Sequence, residues 1–315
     1  MTTQNQPRRI FMTGASGYIG SVITELANAD GYKIRALSRT EASDEKLRGL
    51  GVVPVRGDLC SLDILRHESA QADMVLHLAT AYVFGSEPYE TFGPTDIAAV
   101  TAIADALAGT DKPLVVTSGT LSVSADPTGA ETTEASPAET SPLNTRIKTE
   151  LHSLGLASRG VRVMSVRLAP YVYGRGGSGV AHFLSIAART GSVTYVDGGK
   201  NRITVVHVDD AARLFLLAAE KGRAGEIYNA SSATDITSIQ LSQAMAAAID
   251  VPLRNISVED ARAQMGPTVA FFLAAENRAS GAKAKKELGW SPRGLGILEE
   301  ISKGSYREVA KALKK

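Results

Sequence analysis

The sequence predicts an α/β fold, a Rossmann-type doubly wound parallel sheet with a smaller C-terminal substrate lobe. Three observations predict it. A strand at residues 10–12 runs through Gly14, Gly17 and Gly20 into a helix at 21–29. Short apolar runs then alternate with helix-length segments over the first two-thirds of the chain. Residues 74–78 are continuously apolar, as a strand covered on both faces must be.

The first turn carries the strongest signal. Gly14 permits a tight turn, Gly17 lets a phosphate approach the main chain, and Gly20 lets the helix pack on the strand. An anion held there sits at the positive end of the helix dipole. Further strands are expected at 33–37, 52–55, 74–78, 114–117 and 161–168, with helices at 44–50, 62–69, 95–108 and 146–158. Right-handed crossovers between them place helices on both faces of the sheet. Residues 124–142, with Pro127, Pro137 and Pro142, read as a long loop, functional or mobile. It follows the carboxyl end of the fifth strand, where ligands bind in open α/β sheets. Beyond residue 168 the pattern is irregular. It has a Gly- and Tyr-rich stretch at 170–179, helices at 180–189, 210–221, 238–249 and 258–264, and a returning strand at 204–208. The expected division is a nucleotide-binding domain of 1–169 with 204–225, and a substrate lobe of 170–203 with 226–315.

Composition narrows the class. Of the 315 residues 44% are hydrophobic and 21% charged, and the net charge of +1 argues against a nucleic-acid partner. No apolar run approaches the length of a membrane span. Residues 1–8 lack the apolar core of a signal peptide, and 1–7 are expected to be a disordered tail. Cys60 is the only cysteine, which excludes an internal disulfide. No His/Asp/Glu cluster has ligand spacing, so no metal is expected. These features fit a reducing, cytoplasmic compartment and a small-molecule substrate.

The expected cofactor contacts are Thr13, Gly14, Ser16, Gly17, Tyr18, Ile19 and Gly20 in the first turn, Leu78 and Ala79 after the fourth strand, Thr117 on the fifth and Pro170 after the sixth. The second strand ends Ala36-Leu37-Ser38-Arg39, without the acid that NAD sites usually place there. Arg39 is suited to stacking on adenine and pairing with a 2′-phosphate, and Ser38 to a hydrogen bond. The expected cofactor is therefore NADP(H). The alternative is that Arg39 is a solvated surface residue. Asp58, followed by Leu59, either contacts the adenine amino group or caps the helix that begins near Ser61.

With these residues in place, the chain resembles the extended short-chain dehydrogenase/reductase superfamily, in particular its NAD(P)-dependent epimerase/dehydratase branch. The resemblance runs over nearly the whole length, through TGASGYIG at 13–20, GDL at 57–59, HLAT at 77–80, VVTSGT at 115–120, VRLAPYVYG at 166–174, VHVDDAA at 206–212 and ELGWSP at 287–292. It implies a Ser or Thr, a Tyr and a Lys acting on a carbonyl or alcohol. The phenol moves the proton and the lysine lowers its pKa and holds ribose. By analogy it also implies a homodimer.

The Tyr-x-x-x-Lys segment is missing. If Glu150 marks the usual glutamate, Arg146 stands at the Lys position and Pro142 at the Tyr position. If Lys148 is the lysine, Asn144 stands in for Tyr. Gly119 takes the serine site, flanked by Ser118 and Thr120, and Asp96 replaces the usual asparagine. Arg146 cannot serve as a base. It is suited to holding ribose or an anionic oxygen, or else to pairing with Glu150 at i,i+4. Thr120 is placed to bond a substrate oxygen, or to be a strand-end hydroxyl satisfied by backbone. Tyr82, Tyr171 and Tyr173 are the remaining phenols near the expected cleft, as proton donors or as packing residues. His77 is expected to face the cofactor or to pack at the strand end, His207 to orient the returning strand and its loop, and His182 to be a surface residue.

The expected activity is an NADPH-dependent oxidoreductase that reduces a carbonyl, imine or activated alkene of a small molecule. Its catalytic residues are Thr120, Tyr82, Tyr171 and Arg146, and Tyr82, Tyr171 or water supplies the proton. The alternatives are a non-redox isomerase, epimerase, dehydratase or cyclase on the same frame, and a non-enzymatic NADP(H)-binding regulator.

Overall fold

The structure, a computed structural model, describes residues 7–83 and 87–314. Of the expected tail, all but Pro7 lies outside the described residues. The sheet-forming half runs β1 (Arg9–Thr13), α1 (Tyr18–Ala29), β2 (Lys33–Ser38), α2 (Glu41–Gly49), β3 (Val53–Arg56), α3 (Leu62–Gln71), β4 (Met74–His77), α4 (Tyr89–Leu107), β5 (Pro113–Gly119), α5 (Arg146–Gly155) and β6 (Arg162–Leu168). It continues through β7 (Tyr171–Tyr173), α6 (Ser178–Thr190), β8 (Val193–Val196), β9 (Arg202–His207), α7 (Val208–Lys221) and β10 (Ile227–Ala230). The last part holds β11 (Ala233–Thr237), α8 (Ser238–Ile249), β12 (Leu253–Ile256), α9 (Val258–Met265), α10 (Pro267–Ala274), α11 (Ala282–Leu288), α12 (Ile297–Ser302) and α13 (Tyr306–Leu313). Among the described residues no helix is long and apolar enough to cross a membrane.

The seven-stranded sheet has the order β10-β6-β5-β4-β1-β2-β3. The pairs of β1 with β2, β1 with β4, β2 with β3 and β4 with β5 are all parallel. The expected doubly wound sheet is therefore present. Its order reverses between β1 and β4, where Thr13 is in register with His77. Open α/β sheets bind ligands at this reversal, because the two outgoing loops diverge there.

The chain divides into two compact units, residues 1–118, 144–167 and 212–228 in the first and 119–143, 168–211 and 229–315 in the second. In the first, Phe11, Val75, Leu114, Val116 and Val163 from the strands pack with Leu65, Ala99, Ile103 and Leu107 from α3 and α4. Burying each large side chain of this set contributes roughly 1.5–3 kcal/mol. The α4 helix begins six residues before the expected start and passes through Pro94. Pro94 removes one helix hydrogen bond and crowds the carbonyl of Glu90, and the anchoring of the Tyr89 hydroxyl to Asp96 and Thr149 in space holds the first turn against this.

In the second unit β11, β9 and β7 form one small sheet and β12 and β8 another. Their core gathers Tyr171, Leu184, Val205, Leu241, Met245 and Tyr306. The long segment after β5, expected to be functional or mobile, is tied down by side chains. Glu131 accepts from the Thr234 hydroxyl, Glu134 accepts from the Asn229 N–H at 2.9 Å, and Arg278 donates to the Gly129 carbonyl. A backbone bridge joins Val123 to Ala138 and another joins Thr132 to Ala279. These bonds are why residues 119–143 fall in the second unit. Residues 204–211 fall there because β9 pairs with β7 and β11. The division differs from the expected one at both stretches.

Candidate functional site

Gly14 has φ +75°, and a Cβ there would lie 3.0 Å from the Ala79 nitrogen. A Cβ at Gly20 would lie 2.1 Å from the Gly14 carbonyl oxygen. Both positions admit only glycine, the first for its backbone conformation and the second for space. The Gly17 N–H donates to Gly14 O at 3.0 Å, which closes the turn, and Gly17 opens α1 in an extended conformation. The first turn of α1 carries no acidic residue, so nothing opposes an anion at its positive end. Gly17 is exposed, Ser16, Tyr18 and Ile19 are half-buried, and Gly20 is buried. The geometry fits a pyrophosphate-bearing dinucleotide.

Thr13 is fully buried, and its hydroxyl bridges the β1 and β4 ends. It accepts from the Ala79 N–H at 3.1 Å and bonds His77 Nδ1 at 2.9 Å. Thr13 therefore fixes Leu78 and Ala79, both half-buried, beside the glycine turn rather than facing a ligand itself. The Thr117 hydroxyl donates to the His77 carbonyl at 3.1 Å and ties β5 to β4 in the same way.

At the end of β2 the structure departs from the expectation. Ser38 is buried, and its hydroxyl donates to the Thr40 carbonyl at 3.4 Å. Arg39 is exposed. Glu41 and Asp44 stand in the first turn of α2, and Arg56 pairs with both. Arg48 pairs with the same two carboxylates, so neither of these two arginines is left for a 2′-phosphate. Asp58 is exposed and Leu59 buried. One Asp58 oxygen accepts from the Cys60 N–H at 2.9 Å and the Ser61 hydroxyl at 3.0 Å, so it shapes the turn that leads into α3.

Just beyond Ala79 lies a polar pocket lined by His77, Thr80, Tyr89, Asp96, Arg146 and Thr149. Its free volume is about 20 Å³, enough for one water. Asp96 is buried and accepts from Thr80 Oγ1 at 2.6 Å, the Ala81 N–H at 2.7 Å and the Tyr89 hydroxyl at 3.0 Å. It thereby sets the path of the loop leaving β4. Burial pushes Tyr89 up to about 12 and His77 down to about 4, so both are neutral near pH 7. Tyr89 escaped the sequence reading. Its spacing of seven from Asp96, which puts both on one helix face, was the available signal.

Arg146 is half-buried at the start of α5. It does not pair with Glu150, as the i,i+4 alternative held. Glu150 is closed instead around Arg167, with Nη2 to Oε2 at 2.8 Å, and also accepts from Ser165 at 2.6 Å. Among the described residues Arg146 has no carboxylate partner. Its charge is felt by His77 and Tyr89, which it lowers.

Two expected catalytic residues are corrected. Thr120 is buried, and its hydroxyl donates to Asn277 Oδ1 at 2.9 Å while the Asn277 amide returns a bond to the Thr120 carbonyl. It is a structural hydroxyl, satisfied by a side chain rather than by backbone. Tyr171 is buried in the apolar core of the second unit, which pushes its phenol up to about 12. Tyr173 is occupied by the Leu295 carbonyl at 2.7 Å. Pro170 is half-buried between β6 and β7. His207 stands edge-on to Tyr173, with ring centroids 5.4 Å apart. His182 sits on α6, its ring tilted against Phe183. Tyr82 is half-buried against Tyr89 and Phe92, and its hydroxyl has no hydrogen-bond partner among the described residues.

Residues 10–231 match the NAD dependent epimerase/dehydratase family. An uncharacterized protein of Schizosaccharomyces pombe is 34% identical over 299 residues, covering 95% of this chain and 99% of that protein. A 4-hydroxy-2-methyl-3-oxo-4-farnesyl-3,4-dihydroquinoline-1-oxide ketoreductase of Stigmatella aurantiaca is 27% identical, covering 90% of this chain and 92% of that one. The solved structure of MoeE5 in complex with UDP-glucose and NAD superposes with a TM-score of 0.74 at 21% identity, over 96% of this chain and 99% of that one. Solved dTDP-glucose 4,6-dehydratases of the same fold, from Streptomyces venezuelae and Bacillus anthracis, also hold NAD. These structures overturn the expectation of NADP(H). The physical reason lies at the β2 edge, where Ser38 is bonded to the Thr40 carbonyl and Arg48 and Arg56 are taken up by Glu41 and Asp44.

Proposed function

Because the chain belongs to the NAD dependent epimerase/dehydratase family, we propose that it is an NAD-dependent oxidoreductase that interconverts a ketone and its alcohol on a small organic molecule. The observation that carries this reading is the glycine turn at the sheet reversal, where Gly14 and Gly20 admit no side chain. The ketoreductase name of the Stigmatella relative supports the carbonyl as the reacting group.

Bound NAD(H) supplies a hydride donor or acceptor at its nicotinamide ring. Ser16, Gly17, Tyr18 and Ile19 would hold its pyrophosphate, with Gly14, Leu78 and Ala79 as the neighbouring wall. Thr13 and Gly20 keep that wall and helix in place. Asp58 would contact its adenine. Asp96 fixes Thr80 and Ala81, and through them the approach of Tyr82. Tyr82, whose phenol has no hydrogen-bond partner among the described residues, gives a proton to the substrate oxygen as the carbonyl becomes an alcohol, and takes it back in reverse.

Absorbance of NADH at 340 nm, followed with a panel of small 3-oxo compounds, tests the reading. NADH is expected to support turnover better than NADPH, and Tyr82→Phe to lower kcat by about 100-fold or more. NADH binding with no ketone reduced would overturn it.

A further inference from the structure

We propose that Arg146 binds a carboxylate of the substrate, which makes it the residue that selects anionic ketones over neutral ones. This rests on the ketone reading above and names the substrate class of that same site.

The argument begins with the side chains that are already spent. Arg35 is paired with Glu68, Arg56 with Glu41 and Asp44, Arg167 with Glu150, and Arg202 with Glu276. Arg162 donates to the carbonyls of Asp111, Ala219 and Gly222. Arg146 is half-buried, yet among the described residues its guanidinium has neither a carboxylate nor a carbonyl partner. A partly desolvated cation left alone is costly, and the cost is recovered when an anion arrives.

Its carboxylate neighbours cannot serve. Glu150, one turn on, receives bonds from Arg167 Nε and Nη2 and from Ser165. Asp96 accepts three bonds from Thr80, Ala81 and Tyr89. The shared pocket has free space for about one water, which an oxygen of the guest would displace. Asp96 on the same wall limits the guest to a single negative charge. The planar fork of a guanidinium matches a carboxylate in two parallel bonds, which the lysine of the related enzymes does not offer. The pocket also includes Ala79, whose nitrogen faces Gly14, so it adjoins the cofactor wall.

Acetoacetate and methyl acetoacetate form the test pair, each reduced with NADH. The wild-type protein is expected to prefer the acid. Arg146→Gln is expected to lower the acid-to-ester ratio of kcat/KM by about 10- to 100-fold, through the KM of the acid, and Arg146→Lys to restore part of it. An unchanged ratio, or a loss seen instead in the KM of NADH, overturns the proposal. The second result would put the guanidinium on ribose. Butyrate, which is not reducible, separates the two readings when titrated by NMR into protein saturated with NAD. Binding that vanishes in Arg146→Gln supports the carboxylate site even where no ketone turns over. Butyrate binding that is absent or indifferent to Arg146 overturns it whatever the turnover.

Discussion

Arg167 on β6 and Glu150 on α5 form a closed buried pair, with Nε at 3.0 and 3.1 Å from the two carboxylate oxygens and Nη2 at 2.8 Å from Oε2. This pair does two things at once. It fastens α5 to the sheet, and it takes up the acid that stands one turn on from Arg146. The Arg146 guanidinium is thus left without a carboxylate partner among the described residues.

Breaking that pair from one side strands a charge away from water. Glu150→Ala is expected to destabilise the fold by about 3–5 kcal/mol in urea denaturation, and Glu150→Leu with Arg167→Met by much less. Equal losses for the single and the double variant would show that α5 is held by its apolar contacts instead.

The glycine turn separates ligand binding from stability. A methyl group at position 20 meets the Gly14 carbonyl, whereas one at position 49 meets nothing within 4 Å. Gly20→Ala is expected to weaken NADH binding at least tenfold, read by quenching of protein fluorescence. Gly49→Ala, on α2, is expected to bind normally and to gain roughly 0.5–1 kcal/mol of stability. Normal NADH affinity in Gly20→Ala would contradict the assigned cradle.

His77 links stability to pH. Burial lowers its pKa from 6.5 to about 4 in the folded protein. The unfolded chain therefore takes up the proton first as pH falls. The contribution of a neutral His77 is complete above about pH 6.5 and declines through pH 4, by roughly 3 kcal/mol in all. Urea midpoints measured at pH 7 and pH 5 should converge in His77→Asn relative to the parent protein. A parallel decline in both would assign the acid sensitivity to other groups.

Several features were legible in the sequence for local reasons. Gly14, Gly17 and Gly20 announced the turn because a backbone conformation and a close approach each demand glycine at fixed spacing. The helix at 238–249 was legible because Thr237 and Gln240 form a capping box, so its start is written in four residues. The start of α4 was not legible, since Gly93 and Pro94 signal a break and only the anchoring of Tyr89 overrides it. Thr120 looked like a substrate ligand because its partner, Asn277, lies 157 positions away. Arg39 looked like a phosphate ligand because the charges on α2 count only once the helix folds back beside β2.

The sequence alone determined the sheet, its glycine turn and the loss of the tyrosine from the 142–148 segment, because periodicity and glycine spacing are properties of neighbours along the chain. Tertiary structure alone decided which polar groups are spent and which are free. Asp96 is consumed by the β4 loop, Thr120 by Asn277 and Glu150 by Arg167, while the Tyr82 hydroxyl and the Arg146 guanidinium have no such partner among the described residues. The reason is physical: a hydrogen bond or ion pair is satisfied by whatever lies within 3–4 Å in space, and no local pattern records that partner.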